Sequence, residues 1–165
     1  LAINAVLDAG AFYSGTPFLS SGTKYFTTED VLNEVKHIKS QYGVMDLLLG
    51  SGNLQVMNPD KEYIEEVKVA AKKTGDLGTL SNADVSIIAL ALQLRTTLVT
   101  DDYAASNVST VLGISVVAAT LGKGIRETRR WVSYCSACSR TFDPEFRECP
   151  RCGNRLKRKF RRHKV

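Results

Sequence analysis

Short apolar runs alternate with amphipathic stretches along most of the chain. Ala2 to Leu7 is an apolar run ending on Asp8, Ala9 and Gly10, the pattern of a buried strand with an acid at its carboxyl end. Thr27 and Thr28 precede a stripe of Val31, Leu32, Val35 and Ile38, which predicts a capped helix running to about Gln41 and stopped near Gly43. Val44 to Leu49 reads as another helix start or a buried segment, with Gly50 to Asn53 as a turn. Leu54 to Met57 is a candidate strand, and Asn58-Pro59-Asp60 opens a helix carrying Ile64, Val67 and Ala71. Ser81 or Asn82 caps a strongly apolar helix from Asp84 to Leu94. Thr96 to Thr100 is a β-branched strand stopped by Asp101 and Asp102, and Ile114 to Ala118 is the last strand of this region. Strands alternating with helices predict an α/β fold with a parallel sheet covered on both faces.

The pattern breaks after Thr120. All four cysteines lie beyond it, as two CxxC pairs, Cys135/Cys138 and Cys149/Cys152, separated by the ten residues Ser139 to Glu148. Two such knuckles can close a tetrahedron of thiolates around one metal ion, most often zinc, and with no open position the ion is structural. The charge divides at the same place: 8 Lys+Arg against 13 Asp+Glu through Thr120, a net of −5, and 14 against 4 from Leu121 onward, a net of +10. A short basic segment with few large apolar groups needs metal ligation to hold it together. The expected organisation is an α/β body over 1–120, a linker over 121–130, a zinc module over 131–156 and a basic tail over 157–165. Thiolate pairs in a chain otherwise free of cysteine point to a reducing compartment. No apolar run is long enough to span a bilayer and no secretory segment opens the chain, so the expectation is a cytoplasmic protein without a membrane partner.

Functional groups of a doubly wound sheet gather outside the carboxyl ends of its strands. Asp8, Asp101 and Asp102 all follow strands and should emerge at one edge. Glu34 lies along the apolar stripe of its helix, and Asp84 stands in the first turn of the helix that runs to Leu94, three and four residues before Ile87 and Ile88. Carboxylates facing a core are costly without a partner, and several together need a cation between them. A hard ion such as Mg²⁺ or Mn²⁺ suits an oxygen cluster, can acidify a bound water, and fits metal-assisted phosphodiester hydrolysis. Each acid also has a plainer reading: Asp84 as a helix cap, Asp101-Asp102 as a strand-ending turn, Glu34 as a solvated acid. Their joint placement favours the metal site.

VLDAGAF (Val6 to Phe12), Glu34, SNADVSIIALAL (Ser81 to Leu92) and LVTDDY (Leu98 to Tyr103) resemble the signature blocks of the PIN-domain nucleases. The resemblance covers roughly the first 120 residues and implies a PIN-like three-layer α/β/α fold. It implies Asp8, Glu34 and Asp84 as the first three acids and Asp102 as the fourth, with Asp101 as the substitute because the doubled acid leaves the register open. Thr100, or Asn4 near the first strand, could orient an acid or a water, with plain strand packing as the other reading. A PIN domain followed by RRWVSYC and a four-cysteine ribbon resembles, more narrowly, the archaeal-size Nin-one-binding endonuclease family. That resemblance implies hydrolytic cutting of single-stranded RNA with Mn²⁺ or Mg²⁺, leaving a 3′-hydroxyl and a 5′-phosphate, in maturing the 3′ end of small-subunit ribosomal RNA. The partners it implies are the ribosomal RNA precursor and the pre-ribosomal particle, and pairing into a homodimer is left open.

Arg155 to Lys164 holds seven Lys/Arg in ten residues: Arg155, Lys157, Arg158, Lys159, Arg161, Arg162 and Lys164, with His163 and an interleaved Phe160. Such a segment is either a solvated tail or an RNA contact, and the acidic body favours the second, since neutralising phosphates releases counterions. Phe160, Trp131, Tyr134, Phe142 or Phe146 is a candidate for stacking on an unpaired base, and Trp131 reads equally as a packing residue at the junction between the domains. His37 and His163 lack the spacing of a metal or catalytic pair. Two other functions remain: a toxin-like PIN ribonuclease acting on transfer or messenger RNA, disfavoured because such toxins generally lack an appended ribbon, and a noncatalytic RNA-binding assembly factor.

Overall fold

A computed structural model describes residues 4–15, 22–36, 42–119 and 127–164. The α/β body is built on five short parallel strands, β1 (Asn4–Leu7), β2 (Lys24–Thr27), β3 (Leu54–Val56), β4 (Thr97–Val99) and β5 (Val116–Val117), in the order β3-β2-β1-β4-β5. Ala5, Val6 and Leu7 are buried because β1 is central, paired with β2 on one side and β4 on the other. Successive strands run outward from β1 in one direction and then in the other, so the switch point lies between β1 and β4. A crevice opens there at the carboxyl edge.

Six helices among the described residues cover the sheet: α1 (Ala9–Tyr13), α2 (Glu29–Lys36), α3 (Tyr42–Gly50), α4 (Lys61–Thr74), α5 (Asn82–Leu94) and α6 (Tyr103–Val111). α5 is apolar nearly all round, with Ala83, Val85 and every residue from Ser86 to Ala91 buried, which makes it the central helix of its layer. It starts on a Ser81 capping box and lies against α2, α4 and α6. α4 ends at Gly75, whose φ of 83° is the left-handed conformation a glycine adopts at little cost.

The expected elements appear with trimmed ends. The β4 run spans Thr97–Val99 and the last strand of the body Val116–Val117, while Thr28 rather than Thr27 caps α2. Ile38 and Gln41 lie outside the described residues. Three elements carry no strong sequence signal. β2 is four residues long. α1 is a single turn. α6 is rich in serine and β-branched residues of modest helix propensity, and burial of Ala105 and Val108 stabilises it instead.

The end of the chain departs further from expectation. Positions 127–130, read as linker, and 157–164, read as tail, are strands β6 (Glu127–Tyr134) and β8 (Lys157–Lys164). They pair antiparallel over eight positions, from Glu127 opposite Lys164 to Tyr134 opposite Lys157, and β7 (Thr141–Phe142) completes the sheet in the order β7-β6-β8. Charge counting misses this because a strand's stability comes from its partner, here more than twenty residues upstream. The cysteine knuckles, which follow β6 and precede β8, bring the two strands together. β6 packs against α6 and α4, the Arg158 guanidinium donates to the Gly75 carbonyl at the end of α4, and Lys72 pairs with Glu145 at 3.4 Å. Among the described residues no helix is long and apolar enough to cross a membrane.

Candidate active site and metal knuckles

Asp8 leaves the carboxyl end of β1 and caps α1 by accepting from the Ala9 N–H. Its second oxygen, Oδ2, accepts a 2.6 Å bond from the Thr100 hydroxyl, which arrives at the end of β4. Thr100 is fully buried, and its oxygen in turn accepts from the Asp102 N–H at 3.0 Å, so its proton is committed to Asp8. Asp102 caps α6 through Oδ1, taking the Ala105 N–H at 2.7 Å. Asp84 closes the α5 capping box, its Oδ2 accepting from the Ser81 N–H at 2.7 Å. Three acids thus each use one oxygen to cap a helix. The capping role and the site are therefore compatible: backbone amides hold each carboxylate in a set orientation.

Glu34 is exposed, with Val31, Leu32 and Val35 beside it in the core. The expectation that it lies along the buried stripe is corrected: Val31 and Val35 share the inward face, and Glu34 falls on its flank at the mouth of the crevice. Asp84 is half-buried between the buried Ala83 and Val85. Burial pushes the Asp8 carboxyl above its usual range, the Thr100 and Ala9 bonds oppose this, and the Asp84 and Asp102 charges push it up further. Glu34 is raised by partial withdrawal from water and then by the Asp84, Asp8 and Asp30 charges. Asp84 and Asp102 thus lie near enough for their charges to act on Asp8, and Asp84 and Asp8 near enough to act on Glu34. Asp101 and Asp102 are both exposed, and Asp102 is the one whose amide bonds the Thr100 oxygen. Asn4 opens β1, roughly 13 Å of strand from Asp8 at about 3.3 Å per residue, and its carbonyl accepts from Thr96. Of the two residues expected to orient an acid, Thr100 does so.

A hard divalent ion fits this donor set: all ligands are carboxylate oxygens, and they repel one another without a cation. The acids stand more loosely than the cysteines, whose sulfurs are the one set of three or more metal-binding groups among the described residues lying within 4.8 Å of one another.

The knuckles are tight. Cys135 and Cys152 sulfurs are 3.5 Å apart and those of Cys138 and Cys149 3.6 Å, close to the roughly 3.8 Å edge of a tetrahedron with metal–sulfur bonds of about 2.3 Å. The residue after each pair is left-handed, Ser139 at φ 56° and Gly153 at φ 68°, which turns the chain back over the sulfurs. The Cys138 N–H aimed at the Cys135 sulfur draws that thiol down to about 6. The set can hold a metal ion.

A cleft of about 440 Å³ separates the ribbon from the end of α4, and Lys72, Phe146, Arg147, Arg155 and Arg158 line it together with Glu145. Phe146 is 48% exposed, while its carbonyl is held by the Ser133 hydroxyl at 2.9 Å and its ring leans on Phe142. Of the basic residues singled out in the sequence, Arg155 lines this cleft, Arg158 clamps the ribbon to Gly75, and Lys159 lies over the Tyr134 ring at 3.8 Å. Lys157 is exposed on β8. Phe160, Arg161, Arg162 and Lys164 are positions of the same strand, and with Trp131 and His163 their side chains lie outside the described residues; so does His37. Sequence reasoning missed Lys72 and Arg147 in the cleft, and it missed the buried Asp76, which takes a 2.6 Å bond from Asn107. No spacing signal links Asp76 to Asn107, because the pair joins a loop to a helix that is distant in sequence.

Residues 5–94 match the family model described as the PIN domain of ribonuclease. An "Endoribonuclease Nob1" of Methanothermobacter thermautotrophicus is 36% identical over 164 residues, covering 96% of this chain and 94% of that protein. One of the same name from Pyrococcus abyssi is 36% identical over 159 residues, 95% of this chain and 94% of the relative. A "Ribonuclease VapC1" of Thermoplasma acidophilum is 36% identical over 159 residues, 96% of this chain and 79% of the relative. A match of that length spans the stretch of this chain that holds the cysteine knuckles.

Proposed function

Since the chain belongs to the PIN-domain ribonucleases, in the family that includes the Nob1 endoribonucleases, we propose that it is a metal-dependent endoribonuclease maturing the 3′ end of small-subunit ribosomal RNA. The observation that supports this reading is the bond from Thr100 at the end of β4 to Asp8 at the end of β1, with the charges of Asp84 and Asp102 acting on Asp8 and those of Asp84 and Asp8 on Glu34. A bound Mn²⁺ or Mg²⁺ supplies Lewis acidity and a water of lowered pKa for attack on a phosphodiester. Asp8, Glu34, Asp84 and Asp102 would hold the ion, directly or through its waters. Asp102 rather than Asp101 is the fourth acid, because its charge and its amide both connect to the Asp8–Thr100 pair. The remaining anionic surface repels RNA except where the cation reverses the local charge.

Zinc in the four thiolates is structural and holds β6 to β8. RNA is gripped beside it, by Arg147, Arg155 and Lys72 in the cleft, with the exposed Phe146 as a stacking platform, and by Lys157 and Lys159 on β8, continued by Phe160, Arg161, Arg162 and Lys164. A carboxylate–metal centre reads no base edges, so choice of cut falls to this grip and to the pre-ribosomal particle in the cytoplasm. The "Ribonuclease VapC1" likeness favours a second reading, a PIN ribonuclease acting on transfer or messenger RNA.

The test is cleavage of a small-subunit ribosomal RNA 3′-end precursor with Mn²⁺, alongside a transfer RNA, with metal-free and Asp8→Ala controls. One cut near the mature end, lost in both controls, is the expected result. Cutting of transfer RNA alone would move the assignment to the second reading. RNA binding that persists in Asp8→Ala without any cleavage by the wild type would make the protein an assembly factor.

A further inference from the structure

Two of the acids, Glu34 and Asp84, sit on different helices, and the β-strands do not fix the distance between them. α2 and α5 pack against each other, and within that contact Thr28 and Ser86 are both buried, at 0% and 6% exposure. Their hydroxyl oxygens are 2.7 Å apart. The protons can be assigned. Ser86 donates to the Ala83 carbonyl at 2.8 Å, which leaves Thr28 as donor to Ser86, and the Thr28 oxygen accepts the Val31 N–H at 3.4 Å. A directed chain of hydrogen bonds therefore runs from Val31 through Thr28 and Ser86 to Ala83. It begins one turn before Glu34 and ends one residue before Asp84.

We propose that Thr28 and Ser86 are positioning residues for the catalytic ion, a hydroxyl strut that sets the separation of the Glu34 and Asp84 carboxylates. The inference rests on the metal-dependent nuclease reading and extends it. An apolar pair in the same place would fill the space but leave the helices free to slide. A hydrogen bond between buried hydroxyls weakens steeply with stretching and bending, so it holds the two backbones in one register. Mg²⁺ and Mn²⁺ sites need their oxygens placed to within about 0.5 Å, a tolerance that slack between two helices readily exceeds.

The decisive measurement is Mn²⁺ affinity in the zinc-loaded protein without RNA, read from the electron paramagnetic resonance signal of free Mn²⁺. Asp8→Asn serves as control and melting temperature is recorded in parallel. Ser86→Ala and Thr28→Val should each weaken Mn²⁺ about tenfold, the usual scale for residues that orient metal ligands, and Thr28→Ser should keep wild-type affinity. Should Thr28→Val fail to fold, Ser86→Ala carries the test, since it removes one oxygen from a helical turn. Lowered melting temperatures with unchanged Mn²⁺ affinity would overturn the strut and leave the pair as ordinary packing. Binding that Asp8→Asn does not weaken would overturn the acid site itself, and the strut with it.

Discussion

Thr100→Val tests the geometry around Asp8 without adding or removing a charge. The substitution keeps the shape of a fully buried side chain and deletes one hydroxyl. Two bonds go with it, the 2.6 Å donation to the Asp8 carboxylate and the 3.0 Å acceptance from the Asp102 N–H. A hydrogen bond to a charged group is worth about 1.5–3 kcal/mol, and an orphaned amide adds about 1–3 kcal/mol, against which the relief of burying no hydroxyl must be set. A net loss of about 2–4 kcal/mol follows from those terms. With a urea slope of about 2 kcal/mol/M, the unfolding midpoint should fall by about 1–2 M. Circular dichroism of the zinc-loaded protein at neutral pH without Mn²⁺ reads it directly. A second effect concerns pH. Asp8 is already raised by burial, and the Thr100 bond is the largest influence pulling it down. The raised carboxyl penalises the native state as pH climbs from the ordinary carboxylate range through the raised value, while the anion needed for the metal is lost as pH falls through it. Removing Thr100's hydroxyl raises Asp8 further, so the acid limb of the cleavage profile should move to higher pH. Unchanged urea midpoint and unchanged acid limb together would refute the role given to Thr100.

The choice between the doubled acids is checked by Asp102→Asn and Asp101→Asn under saturating Mn²⁺: the first should lower cleavage at least a hundredfold, the second by less than about fivefold, figures of roughly 2.7 and 1 kcal/mol in barrier. Equal losses would mean that both acids serve the ion. For the cleft, Arg155→Ala should weaken binding of a fluorescent single-stranded oligoribonucleotide and reduce the slope of log affinity against log salt by about 0.7, the value for one phosphate contact on a single strand. An unaltered slope would place the RNA elsewhere.

What the sequence by itself determined are the features written in neighbouring residues. Cys135, Cys138, Cys149 and Cys152 announce their tetrahedron by spacing. Asp8 and Asp102 announce an edge because each follows a β-branched or apolar run, and the Ser81 to Asp84 capping box is complete within four residues. Other features needed the tertiary structure because they join residues far apart in the chain. β8 is a strand only because β6 stands beside it, since a run of lysines and arginines carries no period of its own. Glu34 proved to stand at the flank of its helix stripe because packing of α2 on α5, which helical phase alone does not set, decides which side faces inward. Thr100 could be named as a candidate beside Asn4, but the choice required knowing which end of β1 meets the end of β4. The Thr28–Ser86 contact spans 58 residues, and nothing local in either helix marks it. Local chemistry shows in spacing; distances between groups carried by different elements exist only once the core has closed.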